Sequence, residues 1–511
     1  MRKRRIVSLL LCICLVIFAM ATGCSNGKSS STDNATSEKT GSNGTAQAQG
    51  QPAPVSLLWY QIGNPQADTD RVFKEVSKYT AEKINATVKM VQFDWGQYNQ
   101  KMQVISQSGE EYDICFTCSW ANDYRTNAVK GAFVELNGLL DQYGKDIKKV
   151  INPKFLEGAK INGKLYAVPV NKEVGAQPVW NINVGVAEKY GINYKELKNV
   201  KDIAALEPYL KKVKEGEDAK LVPLNSDGTW LFNAIAPYDF ITSKFAVSFD
   251  IDNPGNSDYK VVNTIETPYA KAFVDTMRKY YQAGYIRKDI VTKTDASELD
   301  KTGNWLLGAY HYAPLAEIGD SAGKGYKVDV APMMKPYTST GSTTGSMHAI
   351  SVTSKKPERA MMFLNLLNTD QKLRVLVGSG IEGVHYTMEN NRQVQTQEGK
   401  DKYAMPGFAI GNMFLTNLVK GDPDDKWQQY EKFNNESVSM PTLGFYPNTD
   451  SISNELAAIN NVINEFDRAV FNGALDQQYL QKYITKMKDA GSDKVVAELQ
   501  KQLDAWRKNK K

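Results

Sequence analysis

The chain has 511 residues, of which 42% are hydrophobic and 23% charged. That is ordinary globular composition and excludes wholesale disorder. The formal net charge of +5 comes with no long basic stripe, which argues against nucleic acid as the main partner, and three histidines argue against a histidine-rich metal site. At about 150 residues per domain the length predicts two to four domains.

Residues 1–5 (MRKRR) are basic and 6–21 are apolar with one serine. Small residues follow and lead to Ala21-Thr22-Gly23-Cys24. This resembles the lipobox of bacterial lipoproteins, although the commonest form has Leu where Ala21 stands. The resemblance implies a signal peptide over 1–23 and lipidation of Cys24. Residues 24–54 then predict a flexible tether, rich in Ser, Gly, Asn, Thr, Gln and Ala, with no aromatic residue and no Leu, Ile or Val before Val55. Such a coil spans roughly 30 Å. No later run approaches 18 apolar residues. The expected location is the outer face of the cell membrane, held through the anchor.

Cys12 and Cys14 leave with the signal, so Cys115 and Cys118 are the cysteines of the folded body. Their CFTC spacing leaves core packing, a disulfide or a redox site open.

The body begins with alternating strands and helices. Residues 55–60 (VSLLWY), 86–93 (ATVKMVQF) and 112–117 predict strands, with helices between them whose apolar faces carry Val72, Val76, Tyr79 and then Tyr98, Met102, Ile105. The pattern β-α-β-α-β opens a doubly wound, mostly parallel sheet, with all strand C-termini on one edge. Ligands of such sheets bind outside that edge. The first strand ends in Trp59, Tyr60 and Gln61, the second leads into Asp94 and Trp95, and the third into Ser119 and Trp120, with Asp123 and Tyr124 beyond. Indole faces stack on flat apolar surfaces such as sugar rings, and neighbouring Asp and Gln side chains bond hydroxyls.

Residues 163–171 (GKLYAVPVN) resemble the strand that leaves the first lobe in extracellular solute-binding lipoproteins of carbohydrate ABC importers. Residues 178–183 (PVWNIN) resemble the first strand of their second lobe. Lys356-Pro357-Glu358-Arg359-Ala360 with MMFLNLL resembles a late helix of that family. Residues 380–386 (GIEGVHY) and 495–506 resemble its branch with a C-terminal domain of its own. The likeness runs over about 55–506 and implies an α/β, two-lobe periplasmic-binding-protein-like fold closing on ligand as a jaw. It places lobe 1 over 55–170 plus about 306–346, and lobe 2 over 171–305 plus about 347–511. It adds Trp305, Tyr310 and His311 as site candidates on a strand returning to lobe 1. Trp180 and Trp230 are candidates from later segments. Glu173 follows the first crossing and His348 lies on the second.

Gly378-Ser379-Gly380-Ile381-Glu382-Gly383 matches a dinucleotide fingerprint but follows a helical pattern, so it reads as a helix stop, with Glu382 and His385 able to face the cleft. Asp422-Pro423-Asp424-Asp425 reads as a surface turn. The last sixty residues read as helices with apolar stripes at 456–470, 480–487 and 495–506. No cofactor, metal or ATP site is legible. The reading is a monomeric receptor for an oligosaccharide, with ABC permease subunits as partners. A glycan-active enzyme and a receptor for peptide or another solute are the alternatives.

Overall fold

Val55–Ile62 (β1), Ala86–Phe93 (β2), Ile114–Thr117 (β3), Ala167–Pro169 (β4), Pro178–Asn183 (β5), Val222–Asn225 (β6), Trp305–His311 (β7), Val328–Pro332 (β8) and Met347–Ile350 (β9) build two separate sheets in a computed structural model that describes residues 53–216, 220–292 and 297–510. The signal, Cys24 and nearly all of the tether lie outside the described residues.

The first sheet has the order β2-β1-β3-β9-β4. β1 pairs in parallel with β2 from Val55↔Ala86 to Ile62↔Phe93, and with β3 at Trp59↔Ile114. β2, at the sheet edge, alternates buried and accessible residues, while β3 is buried throughout, as a strand covered on both faces must be. The second sheet has the order β8-β5-β7-β6. β7 runs parallel to β6, and β5 runs antiparallel to both β7 and β8.

Each sheet holds one reversed strand. In the first it is β9, antiparallel to β3 and β4; in the second it is β5. Both are the first strand after the chain has crossed from the other lobe. A chain entering from the hinge runs away from the ligand edge, whereas each strand reached by a crossover helix runs toward it.

The returning strands are therefore exchanged relative to the sequence expectation. β7 stays in the second lobe, and residues 346–352 return to the first. Strand partners are long-range facts that a local apolar pattern does not carry. Two cores result. One joins Leu57–Val174 positions to Met347–Ile410 positions, the other Trp180–Tyr337 positions to Met440–Leu503 positions, so residues 347–410 belong to lobe 1 and not to lobe 2.

The lobes are linked by three crossings that meet as a narrow ribbon. Ala176 and Tyr337 exchange backbone hydrogen bonds at 2.7 and 2.9 Å, and Tyr337–Thr338 pairs in parallel with Val438–Ser439. Asn434 fastens the first crossing to the third: its Oδ1 accepts from Val174 N at 2.9 Å and its Nδ2 donates to Lys172 O at 2.7 Å. The C-terminal helices Ser453–Phe471, Gln477–Asp489 and Ser492–Lys510 bury Ile459, Phe466, Val470, Tyr483, Met487, Leu499 and Leu503 in the second core. Gly473, at φ +75°, turns between the first two; a Cβ there would sit 2.1 Å from Met277 O.

Candidate ligand-binding cleft

Reversal of one strand per sheet leaves the C-terminal ends of β1–β4 facing the hinge from lobe 1, and those of β6, β7 and β8 facing it from lobe 2. Beyond β2, the Asp94 carboxylate accepts from Gly96 N at 2.9 Å and Gln97 N at 3.1 Å. This turn turns Trp95 outward. Beyond β3, Trp120 Nε1 donates to Gly345 O at 2.8 Å and Ser119 N to Thr344 O at 2.9 Å, tying the loop to the second crossing. Asp123 caps the helix Tyr124–Val129 by accepting from Thr126 N at 2.7 Å.

Trp95 and Trp120 are 42% and 49% exposed, and their rings lie 6.2 Å apart at 27°. Phe408, 37% exposed, lies 6.1 Å from Trp95 at 19°. Three nearly parallel exposed rings thus form a row on the ligand edge. Exposed aromatic area of this extent is unfavourable in water and is relieved by a flat apolar partner. Sequence reading missed Phe408 because its loop lies some three hundred residues beyond Trp120; the Pro406-Gly407 turn immediately before an aromatic residue was the only local signal.

Lobe 2 supplies a second aromatic pair. Asp227 caps the helix Gly228–Ile235 by accepting from Thr229 N at 2.8 Å, which sets Trp230 near the end of β6. His311 ends β7 and meets Trp230 edge to face at 5.1 Å and 83°. They line a cavity of about 320 Å³ with Tyr238, Met334, Tyr337 and Met440, so its wall includes the crossings themselves.

The remaining sequence candidates lie elsewhere. Trp59, Trp180 and Trp305 are 0–1% exposed. Trp59 packs between Phe73, Phe363 and His348; Trp180 Nε1 donates to Val200 O at 2.9 Å and Trp305 Nε1 to the Tyr326 hydroxyl at 2.9 Å. All three sit inside strands covered on both faces, not in the loops after them. Tyr60 is buried against Phe93 and Tyr112, and its hydroxyl donates to Glu110. Tyr124 is buried and donates to Ala159 O. Tyr310 is half-buried, its phenol pushed up by burial and by the nearby Asp320 and Glu317. Glu173, on the first crossing, is paired with Lys172 at 2.8 Å. Glu382 lines a groove between the helices Thr69–Ile84 and Gln371–Ser379. His385 is fully buried, accepting at Nδ1 from Ile381 N and meeting Asp68 at Nε2, so it fixes the turn after Gly380.

Gln61 and His348 are buried beneath the row. Gln61 Nε2 donates to Ala409 O at 3.2 Å, and His348 Nε2 lies 3.4 Å from Gln61 Oε1. Burial, with the Arg374 guanidinium second, pushes His348 down to about 3. The folded protein thus binds fewer protons here than the unfolded chain between about pH 3 and 6.5. This contribution to stability is full above 6.5 and is lost as pH falls toward 3. Denaturant unfolding at pH 7 and pH 5 should show a drop that shrinks in a His348→Gln variant; an equal drop in both would contradict the assignment.

Cys115 and Cys118 are free and buried, with both thiols pushed up to about 12 chiefly by burial. Among the described residues no group of three His, Cys, Asp or Glu side chains is placed to hold a metal, and no helix is long and apolar enough to cross a membrane.

Two α/β lobes on a three-crossing hinge, with an exposed aromatic row at the end of lobe 1 and Trp230 and His311 lining a cavity in lobe 2, define a two-lobed ligand-binding protein. The chain belongs to the bacterial extracellular solute-binding proteins, whose family profile matches residues 74–381. A second profile, a domain of unknown function (DUF3502), matches 441–508. A carbohydrate ABC transporter substrate-binding protein of Streptococcus pneumoniae serotype 4 is 32% identical over 465 residues, covering 89% of this chain and 91% of the relative. The crystal structure of an N-glycan transport solute-binding protein from S. pneumoniae is 31% identical, with a TM-score of 0.77 over 90% of this chain and 100% of that one. The same protein in complex with Man5GlcNAc gives 0.64 over 90% and 99%.

Proposed function

We propose that this chain is a lipid-anchored, extracytoplasmic receptor that holds an oligosaccharide between its lobes and delivers it to an ABC permease. The observation that carries the reading is the exposed row Phe408–Trp95–Trp120 at the ligand edge of lobe 1. Three successive rings about 6 Å apart offer stacking surface to consecutive sugars, a geometry suited to a chain of pyranoses. Trp230 and His311 offer a second contact from lobe 2, so a ligand touching both lobes would favour the closed form.

The relatives support the sugar class. Those named above are a carbohydrate ABC transporter substrate-binding protein and an N-glycan transport solute-binding protein, and oligosaccharides of mannose and N-acetylglucosamine are the first ligands to try. The lower TM-score against the Man5GlcNAc complex, at unchanged sequence identity, fits a relative that changes shape with ligand. Binding, not turnover, is the proposed activity, and the receptor acts as a monomer. Calorimetric titration with mannose–N-acetylglucosamine oligosaccharides, followed by analysis of the recovered glycan, tests this: saturable binding with intact ligand supports a receptor, and shortened products would establish an enzyme.

A further inference from the structure

Phe408 stands between two backbone carbonyls, and each is held from beneath by a fully buried polar side chain. Arg374 Nη2 donates to Gly407 O at 3.0 Å, and Gln61 Nε2 donates to Ala409 O at 3.2 Å. Gln61 comes from the end of β1 and Arg374 from the helix Gln371–Ser379, so two rigid elements grip one short loop from different sides. His348, on β9, meets the far end of the Gln61 amide.

Arg374 is unusual in its setting. It is 0% exposed, and its Nε and Nη1 have no hydrogen-bond partner among the described residues. Gly378 makes room for it, since a Cβ there would lie 2.2 Å from Nη1. A buried guanidinium without a carboxylate is costly, and an apolar side chain of similar length would fill the space at less cost. Stability does not account for the placement. What the guanidinium does supply is one donor to the carbonyl next to Phe408. A ring that must lie parallel to Trp95 needs its backbone fixed on both sides, because a loop would otherwise let it tilt.

We propose that Arg374 and Gln61 are positioning residues that set Phe408 in the aromatic row and so tune glycan affinity without touching glycan. This rests on the receptor reading above.

The test is a double-mutant cycle with Man5GlcNAc as probe, paired with tryptophan emission of the ligand-free protein. Gln61→Leu and Arg374→Met should each weaken binding roughly fivefold or more, the loss of one buried hydrogen bond. Neither should weaken it further when Phe408→Ala is already present. Arg374→Lys, which keeps a donor on the same side, should recover part of the loss. Emission from Trp95 should shift in the single variants in the direction that Phe408→Ala shifts it. If Arg374→Met does not fold, Gln61→Leu carries the test. A lower melting temperature with unchanged affinity and emission would overturn the proposal, as would equal losses with and without Phe408. Failure of the unaltered protein to bind any such glycan overturns the receptor reading, and this proposal with it; binding with an additive cycle overturns this proposal alone.

Discussion

Replacing Trp120 or Trp95 with alanine should weaken oligosaccharide binding about 30-fold or more, some 2 kcal/mol, the range of interface hot spots. Both rings expose a large share of their surface already in the free protein, so little packing is lost when they are removed. Their ring neighbours are each other, Phe408 and, for Trp120, Phe116. The unfolding midpoint should therefore change little for Trp95→Ala and somewhat more for Trp120→Ala, which also loses the bond from Nε1 to Gly345 O. Trp59→Ala is the contrasting control. Trp59 fills the lobe 1 core, and truncating such a side chain costs about 3–5 kcal/mol of stability. Calorimetry and denaturant unfolding on the three variants separate the roles. Loss of affinity in Trp59→Ala under conditions where it remains folded, with none in Trp120→Ala, would refute the assignment of the exposed row.

The second large effect concerns anchoring. Cys24→Ala should move the protein from the membrane fraction to the soluble fraction, nearly completely. The sulfur of Cys24 is where the lipobox resemblance places the diacylglycerol, and two acyl chains hold a protein stably where one holds it marginally. Among the described residues no helix replaces that anchor. The folded body should be untouched, so glycan affinity of the released protein should equal that of the detergent-extracted one. Fractionation with immunodetection decides; a variant retained in the membrane would contradict lipidation at this position.

The sequence carried the fold class, because it follows from local pattern. Apolar runs at 55–62, 86–93 and 114–117 became parallel strands, and Trp95 and Trp120 lie just after two of them. What it did not carry was partnership across distance. Trp305–His311 was legible as a strand and the segment around His348 as the second crossing, yet which lobe each joined depended on pairing with residues more than a hundred positions away. The same blindness hid Phe408. Trp59 misled for a different reason: near the end of a strand, a tryptophan points into the helix layer as readily as toward ligand, and the period of two cannot say how far the strand continues. Here β1 runs to Ile62 and keeps Trp59 inside.

Small-angle scattering of the mature protein, titrated with Man5GlcNAc until binding saturates, tests the central claim most directly, since the claim is that one oligosaccharide is gripped by aromatic rings from two lobes across a hinge. The radius of gyration should fall along the same saturation curve as binding and return when ligand is removed. A radius that stays constant at full saturation would contradict a ligand held between closing lobes.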